Sequence, residues 1–198
     1  MQRMLKGVEN EFIFLHQNQY YFGGEERYSV WMKKINHPVS RITYTPIGTI
    51  HSPFTLISGM PVQPIGARGI QGTVEIFGEY VEGLADLDGF SRIVLIYAFH
   101  KCDSCQLTVT PFLDTISHGV FATRAPCRPN AIGLSVVRLI AIKDCRLIIE
   151  DVDMLDGTPL LDIKPYVPEF DCYPDEQSGW LSGCRNTVIS KKSDNRFG

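Results

Sequence analysis

Residues 92–99 read Arg-Ile-Val-Leu-Ile-Tyr-Ala-Phe and decide the fold class of this chain. Every position after Arg92 is apolar, and the run is rich in β-branched side chains. A run of this length is too short for a typical helix and fits a strand better. It therefore predicts a central β-strand that is buried on both faces.

Further strand patterns lie on both sides of this run. Residues 134–142 and 146–150 are apolar stretches around Lys143-Asp144, which predicts a β-hairpin. Residues 72–77 alternate apolar and polar side chains, as in a half-buried strand. Residues 44–50 are a shorter candidate strand.

The connecting segments contain little helix. Residues 79–87 fit one short helix with Val81, Leu84 and Leu87 on one side. Residues 58–72 are dense in glycine and proline and predict a loop, called the Gly/Pro loop below. Many strands, little helix and such loops predict a mainly β fold that closes, or nearly closes, into a barrel.

The chain divides into three parts. Residues 1–40 show no clean helical or strand period and are interpreted as an N-terminal extension of unknown role, with a separate functional module as the alternative. Residues 41–171 form the β-rich domain. Residues 172–198 are a polar C-terminal tail, of which residues 191–198 are expected to be loose.

Composition limits the class of protein. The net charge of -3 over 198 residues argues against a generic basic nucleic-acid binder, although a local positive surface can still contact RNA. No apolar run approaches the roughly 18 residues needed to span a bilayer, so no membrane association is expected. The N-terminus lacks the features of a secretory signal, which predicts a cytoplasmic protein with reduced cysteines.

The segment most specific for chemistry is residues 119–135, called the signature segment below. Its two prolines stiffen the backbone, so Arg124 and Arg128 are held in place. Gly133 permits a corner with positive φ before the next strand. A rigid loop with two guanidiniums suits a carboxylate or phosphate ligand. The alternative is that both arginines pair with acidic residues of the same chain.

A Cys-x-x-Cys pair, Cys102 and Cys105, lies beside His100 and raises the alternative of a zinc or redox site. A structural zinc site needs four ligands, and the chain has no second Cys-x-x-Cys. Cys127 contributes only if the fold brings it close. No metal site is therefore predicted.

Residues 123–135, TRAPCRPNAIGLS, resemble the signature TRSPxRPNPIGLS of the TrmO/TsaA-like family, with Ala125 and Ala131 as the two departures. Four other blocks resemble the family in the same order, and Gly179-Trp180-Leu181 resembles its trailing end. These blocks are residues 46–54, 82–91, 99–101 and 155–166.

The resemblance implies a single, dimeric, antiparallel β-barrel domain that binds S-adenosylmethionine. It also implies methylation of N6 of threonylcarbamoyladenosine at position 37 of a tRNA, beside the anticodon. The chain has no G-x-G-x-x-G after a strand, so a Rossmann-type cofactor site finds no support. Bacterial relatives carry an added C-terminal domain, which the short stretch after Asp171 does not contain.

Alignment of the family's blocks with this sequence implies which residues form the cofactor site. Arg128 or Lys101 would hold the methionine carboxylate, and Asp156 the ammonium or an adenosine hydroxyl. Gly157 would let the backbone approach the adenine, although Asp156-Gly157 is equally a common turn dipeptide. The implied cofactor-binding residues are Pro61, Val62, Gln63, His100, Lys101, Arg128, Arg138, Leu155, Asp156, Gly157 and Thr158.

Methyl transfer would be direct and in line, resting on positioning. Asp156 and His100 are the candidate catalytic bases, although His100 alternatively is a satisfied histidine at a strand end. Arg68 and Arg124 are candidate contacts to the tRNA anticodon loop. Two other functions stay open on the same fold: a non-catalytic S-adenosylmethionine-binding sensor, and a methyltransferase for another acceptor.

Overall fold

In the computed structural model, residues 42–197 are described, so the interpretation of residues 1–40 lies outside them. The strands are β1 Gly48–His51, β2 Gln71–Ile76, β3 Arg92–Ala98, β4 Thr108–Val109, β5 His118–Gly119, β6 Ile132–Lys143, β7 Arg146–Glu150 and β8 Thr158–Pro165. Six of them close into a barrel in the order β1-β2-β7-β6-β3-β8, and every neighbouring pair is antiparallel. The short strands β4 and β5 pair separately. The prediction of a mainly β, antiparallel barrel is confirmed.

The predicted central strand is β3, which lies between β6 and β8. Its burial alternates: Ile93 and Leu95 are fully buried, whereas Val94 and Ile96 are only half-buried. The expectation of burial on both faces is therefore wrong. In a closed antiparallel barrel one face of each strand fills the interior and the other points outward, and here the outward side chains are apolar as well.

Buried side chains from all six barrel strands and from residues 152–154 pack together in the barrel interior. Its core removes large aliphatic side chains from water, each stabilising the fold by about 1.5–3 kcal/mol before entropic costs. Because the interior is packed, a ligand site must lie at the rim. The core consists of Ile50, Val74, Ile76, Ile93, Leu95, Tyr97, Val137, Leu147, Ile149, Val152, Met154 and Leu160.

The predicted hairpin is confirmed as β6–β7, with Asp144 at a φ of 53° in its turn. The first strand is shorter than predicted and begins only at Gly48. Pro46 explains this start, because a proline cannot donate to a strand ladder.

The predicted helix over residues 79–87 is two 3-10 helices, Gly78–Leu84 and Leu87–Gly89, separated by Asp86 at a φ of 63°. Val81, Leu84 and Leu87 pack against the core, as the periodicity predicts. The left-handed backbone at Asp86 is the reason that one continuous helix does not form. The Gly/Pro loop is confirmed up to Ile70, apart from a 3-10 helix at Pro64–Ala67, whereas its last two residues, Gln71 and Gly72, belong to β2.

The expectation that residues 191–198 are loose is wrong for the described residues up to 197. Phe197 is buried and packs with Val109, Val120 and Cys127 in a second apolar cluster. Ser193 is hydrogen-bonded through its backbone to the Gly/Pro loop. One buried aromatic and a few backbone hydrogen bonds are thus enough to dock a polar segment.

Residues 172–197, called the C-terminal segment below, are folded over the loops of the barrel. Helix α1 (Pro168–Asp171) precedes the segment, and α2 (Arg185–Ser190) lies within it. Two 3-10 helices, Gly179–Gly183 and Asn195–Phe197, complete it. Within the described part of the chain, no helix has both the length and the apolar character needed to cross a membrane.

Candidate functional site

A cavity of about 930 Å³ lies where β3 ends and β6 and β8 begin. Its walls come from six parts of the chain: residues 57–65 in and beside the Gly/Pro loop, the end of β3 with residues 99–102, residues 111–113, the signature segment, residues 153–158 and the C-terminal segment. The volume falls in the range of pockets that hold small molecules. Barrel closure, rather than any local motif, creates this site.

Most of the residues predicted to bind cofactor or substrate line this cavity. They arrive from separate elements, so their convergence is a property of the fold. The lining members of the predicted set are Pro61, Val62, Gln63, His100, Lys101, Arg124, Arg128, Leu155 and Thr158.

Two predicted residues, Arg138 and Arg68, do not line the cavity. Arg138 points outward from β6 and forms an ion pair with Glu150 at 2.8 Å. Arg68 is exposed at the end of the 3-10 helix in the Gly/Pro loop. Within one copy of the chain neither guanidinium is placed to contact a ligand in the cavity.

The predicted pair Asp156-Gly157 also lies outside the cavity lining. Asp156 Oδ1 accepts a hydrogen bond from the backbone N–H of Ser52 at 3.2 Å and lies 3.3 Å from His51 Nδ1. Gly157 has a φ of 74°, and its N–H donates to the carbonyl of Ile50. These contacts favour the turn interpretation of this dipeptide.

Arg128 braces the signature segment from within. Its Nη1 donates to the carbonyl oxygens of Thr123 at 2.9 Å, Val120 at 3.2 Å and Ala125 at 3.3 Å. These carbonyl groups satisfy the N–H donors of Arg128 but do not neutralise the positive charge of its guanidinium. The guanidinium therefore both fixes the loop and keeps its positive charge at the cavity wall.

Arg124 joins two walls of the cavity. Its Nη1 donates to Gln63 Oε1 at 2.9 Å, which links the signature segment to the Gly/Pro loop. Among the described residues neither Arg124 nor Arg128 forms an ion pair with a carboxylate, so the alternative of internal pairing finds no support there. Two guanidiniums without a direct carboxylate partner among these residues make this wall attractive to an anion.

The expectation of a positive φ at Gly133 is wrong, because Gly133 is not among the glycines with positive φ. Gly133 is opposite Tyr97 in the β3–β6 ladder. A Cβ built at this position would overlap the Tyr97 ring. Glycine is needed here for close approach of the ring, rather than for backbone freedom.

Sequence reasoning missed Asp153, a half-buried carboxyl group that lines the cavity. Its Oδ1 accepts a 2.7 Å hydrogen bond from Ser135 Oγ. Since the Ser135 proton is used there, the Tyr97 hydroxyl, 3.0 Å away, donates to Ser135. Tyr97, Ser135 and Asp153 therefore form a chain of hydrogen bonds from the barrel core to the cavity.

Burial raises the pKa of Asp153 to about 7, against the opposing effects of the Ser135 hydrogen bond and the positive charge of Arg124. Burial also raises the pKa of Tyr97, which keeps its hydroxyl protonated. Burial and the charge of Lys101 lower the pKa of His100. The cavity thus holds a neutral imidazole and a carboxyl group that titrates near neutrality.

Trp180 is a second residue that the sequence did not assign to the site. It lines the cavity, and its Nε1 donates to the Ala122 carbonyl at 2.8 Å. Its ring stacks on His118 with centroids 4.5 Å apart. Its only signal in the sequence was the likeness of Gly179-Trp180-Leu181 to the trailing end of a family.

The fold brings Cys127 beside Cys102, with the two Sγ atoms 2.6 Å apart. Burial and the contact with Cys127 raise the pKa of Cys102 to about 12, so its thiol stays protonated. No group of three or more His, Cys, Asp or Glu side chains arranged to hold a metal is found among residues 42–197. The zinc alternative gains no support from these residues.

The amino-acid sequence is similar to a known protein family and to several named proteins. The tRNA-methyltransferase O N-terminal domain matches residues 49–172. A Pyrococcus abyssi protein named as a probable S-adenosyl-L-methionine-binding protein is 53% identical over 79% of this chain and 85% of its own length. The human tRNA (adenine(37)-N6)-methyltransferase is 37% identical over 64% of this chain and 30% of the human protein.

The fold agrees with a solved structure. TrmO from Pseudomonas aeruginosa superposes with a TM-score of 0.61 at 40% identity, over 71% of this chain and 63% of the crystallised chain. This chain thus spans less than two thirds of that protein and less than a third of the human one. The matched region contains the barrel strands and the signature segment, and on these grounds the chain belongs to the family of the tRNA-methyltransferase O N-terminal domain.

Proposed function

We propose that this protein transfers the methyl group of S-adenosylmethionine to N6 of threonylcarbamoyladenosine at position 37 of a tRNA. One observation carries the proposal: a single cavity gathers most of the residues that the family resemblance implies for this chemistry. The names of the Pyrococcus and human relatives, which refer to S-adenosylmethionine binding and to tRNA adenine-37 methylation, support it.

Several residues that line the cavity suit S-adenosylmethionine. Lys101 offers a cation for the methionine carboxylate, and Gln63 is fixed by Arg124 at 2.9 Å. Apolar lining residues such as Met154 and Leu155 suit the adenine ring. Arg128 acts mainly by holding the signature segment in shape, because its Nη1 is already engaged by backbone carbonyls.

The volume leaves room for a second planar group beside the nucleoside. The sulfonium supplies an activated methyl group, and the walls of the cavity hold the acceptor nitrogen in line with it and exclude water. Trp180 lies at the C-terminal wall, where an aromatic ring stacks well on a base drawn out of an RNA loop. Arg68 and Arg124 are the basic side chains that we assign to the phosphates of the anticodon loop.

We infer that the active form is a homodimer in the cytoplasm. Leu134, which also lines the cavity, and Ile140 are 49% and 43% exposed on β6, on either side of Arg138 in the sequence. A second copy that covers this face would remove them from water and bring Arg138 to an interface, where it can serve the partner's cavity. Sedimentation of the wild type against Ile140→Glu tests this inference, and a wild-type monomer contradicts it.

The second candidate is an S-adenosylmethionine sensor without transfer activity. The Pyrococcus relative is named for S-adenosylmethionine binding and not for methyl transfer, which favours this second candidate. The two functions share the cavity and differ only in what happens to the methyl group.

The experiment combines binding and transfer. Calorimetry measures S-adenosylmethionine binding by the wild type and by Lys101→Ala, with Lys143→Ala on the exposed β6–β7 turn as the control. Labelled S-adenosylmethionine is then offered with tRNA that carries or lacks threonylcarbamoyladenosine. The enzyme labels only the modified tRNA, and Lys101→Ala weakens binding at least about tenfold. Binding without label would favour the sensor.

A further inference from the structure

Asp153 is the carboxyl group that reaches the cavity from the inner side of the barrel. Ser135, its hydrogen-bond partner, is 1% exposed, and Tyr97 behind Ser135 is 6% exposed. Glu176, the other carboxyl group among the lining residues, is exposed on the C-terminal segment. Asp153 is therefore held rigidly, whereas Glu176 faces water.

The hydrogen bonds of Asp153 leave it able to accept a proton. Ser135 is its one side-chain partner among the described residues, so the carboxylate is oriented but not saturated. A structural role alone would be met by an amide or a hydroxyl at this position. A carboxylate with remaining lone pairs, aimed into a cavity, is suited to proton transfer.

We propose that Asp153 is the catalytic base that takes the proton from N6 of the acceptor during methyl transfer. This inference rests on the proposed function. The bond from N6 to the methyl carbon forms as the sulfur–methyl bond breaks, and the electron pair of the broken bond returns to sulfur. The N6–H electron pair stays on nitrogen, and its proton moves to the Asp153 carboxylate, which later releases it to water.

The charges around Asp153 agree with this role. Tyr97 of β3 is held neutral by burial, and Arg124 of the signature segment supplies the positive charge. His100 and Lys101, after β3, and Glu176 line the same cavity. Burial outweighs the Ser135 hydrogen bond and Arg124, so the pKa of Asp153 rises to about 7. A base with this pKa matches the operating pH of a cytoplasmic enzyme.

The two bases that the sequence suggested are less suited. Asp156 is engaged with Ser52 and His51 and does not line the cavity. His100 does line it, but burial and Lys101 lower its pKa, which makes it the weaker proton acceptor at neutral pH. Ser135 is a positioning residue in this scheme, because it fixes the carboxylate without touching the acceptor.

The test compares Asp153→Asn, Ser135→Ala and the matched control Asp144→Asn, at an exposed residue of the β6–β7 turn outside the cavity. Single-turnover transfer to the modified tRNA is measured from about pH 5 to pH 9, with S-adenosylmethionine affinity measured in parallel. In the wild type the rate rises through a limb near pH 7. Asp153→Asn lowers the rate about 10²- to 10⁴-fold and removes the limb, with S-adenosylmethionine affinity within about threefold.

The two other variants sharpen the result. Ser135→Ala removes a hydrogen bond that stabilises the carboxylate, so the limb moves to higher pH. Asp144→Asn keeps the limb where it is in the wild type. An active wild type with an unchanged Asp153→Asn rate overturns this inference alone, and so does a loss confined to S-adenosylmethionine affinity. Absence of transfer by the wild type overturns the proposed function with it.

Discussion

The ring of Tyr97 lies directly over the backbone of Gly133, its partner across the β3–β6 ladder. This contact places the Tyr97 hydroxyl 3.0 Å from Ser135, which in turn holds Asp153 at 2.7 Å. The absence of a Cβ at Gly133 in the signature segment thus allows the contact that positions the inner wall of the cavity. The arrangement explains why a glycine stands at the start of β6.

Replacing Gly133 with alanine should therefore destabilise the fold. The added methyl group meets the Tyr97 ring, and overpacking of this kind costs about 1–3 kcal/mol. Urea unfolding monitored by circular dichroism measures the loss. Gly119→Ala is the control, because a Cβ at Gly119 meets nothing within 4 Å. Equal stability of the two variants would contradict the close contact.

Phe197 should anchor the C-terminal segment. It is 8% exposed and packs edge-on against Phe112 with centroids 5.0 Å apart. Phe197→Ala removes this contact and leaves a cavity. We expect the free energy of unfolding to fall by about 3 kcal/mol, at the lower end of the range for substitutions of this kind. Limited proteolysis should then cut the segment faster.

Because the C-terminal segment walls the cavity, Phe197→Ala should also weaken S-adenosylmethionine binding. Ile189→Ala, at a side chain that is 52% exposed, is the control and should change neither property. Wild-type proteolysis and affinity in Phe197→Ala would mean that the segment is not held in this way.

Arg128 and Arg124 should respond differently to substitution. Arg128→Ala removes the Nη1 donor from which three carbonyl oxygens accept, so it should lower stability by about 1–3 kcal/mol. Arg124 makes one exposed hydrogen bond to Gln63, so Arg124→Ala should change stability by less than about 0.5 kcal/mol. Thermal unfolding separates the two effects, and the same loss in both variants argues against the bracing role.

Asp153 should lower the stability of the fold at high pH. Its folded pKa of about 7 lies above the unfolded value of about 3.9, so the folded state holds a proton that the unfolded state has released. The stability from this group is full below the unfolded pKa and is lost as pH rises through the folded pKa. Asp153→Asn has no such loss.

The free energy of unfolding of Asp153→Asn, relative to wild type, should thus rise by about 2–3 kcal/mol between pH 5 and pH 8. Denaturation series at several pH values measure it. Parallel pH dependence of wild type and variant would be inconsistent with a raised pKa in the folded protein.

Local patterns in the sequence predict much of the fold. The β6–β7 hairpin, the half-buried β2 and the apolar side of residues 79–87 follow from alternation and turn residues within a few positions. Burial of β3 was overestimated because an apolar run does not tell whether its second face meets protein or lies on the outside of a barrel.

The parts of the site that the sequence does not predict depend on contacts between residues far apart in the chain. Asp153 meets Ser135 only because β6 and the chain after β7 converge at the rim, and no motif marks that encounter. Phe197 is one aromatic in a polar stretch, and only its burial among residues 109–127 shows that it anchors the segment. Arg138 and Asp156 were assigned by matching positions, and one copy of the chain holds both outside the cavity.

The most direct measurement is nucleoside mass spectrometry of tRNA after incubation with the protein and S-adenosylmethionine. The account predicts that threonylcarbamoyladenosine gains the mass of one methyl group and that the same tRNA without this modification gains none. A protein that binds S-adenosylmethionine and leaves threonylcarbamoyladenosine unchanged would contradict the proposed activity.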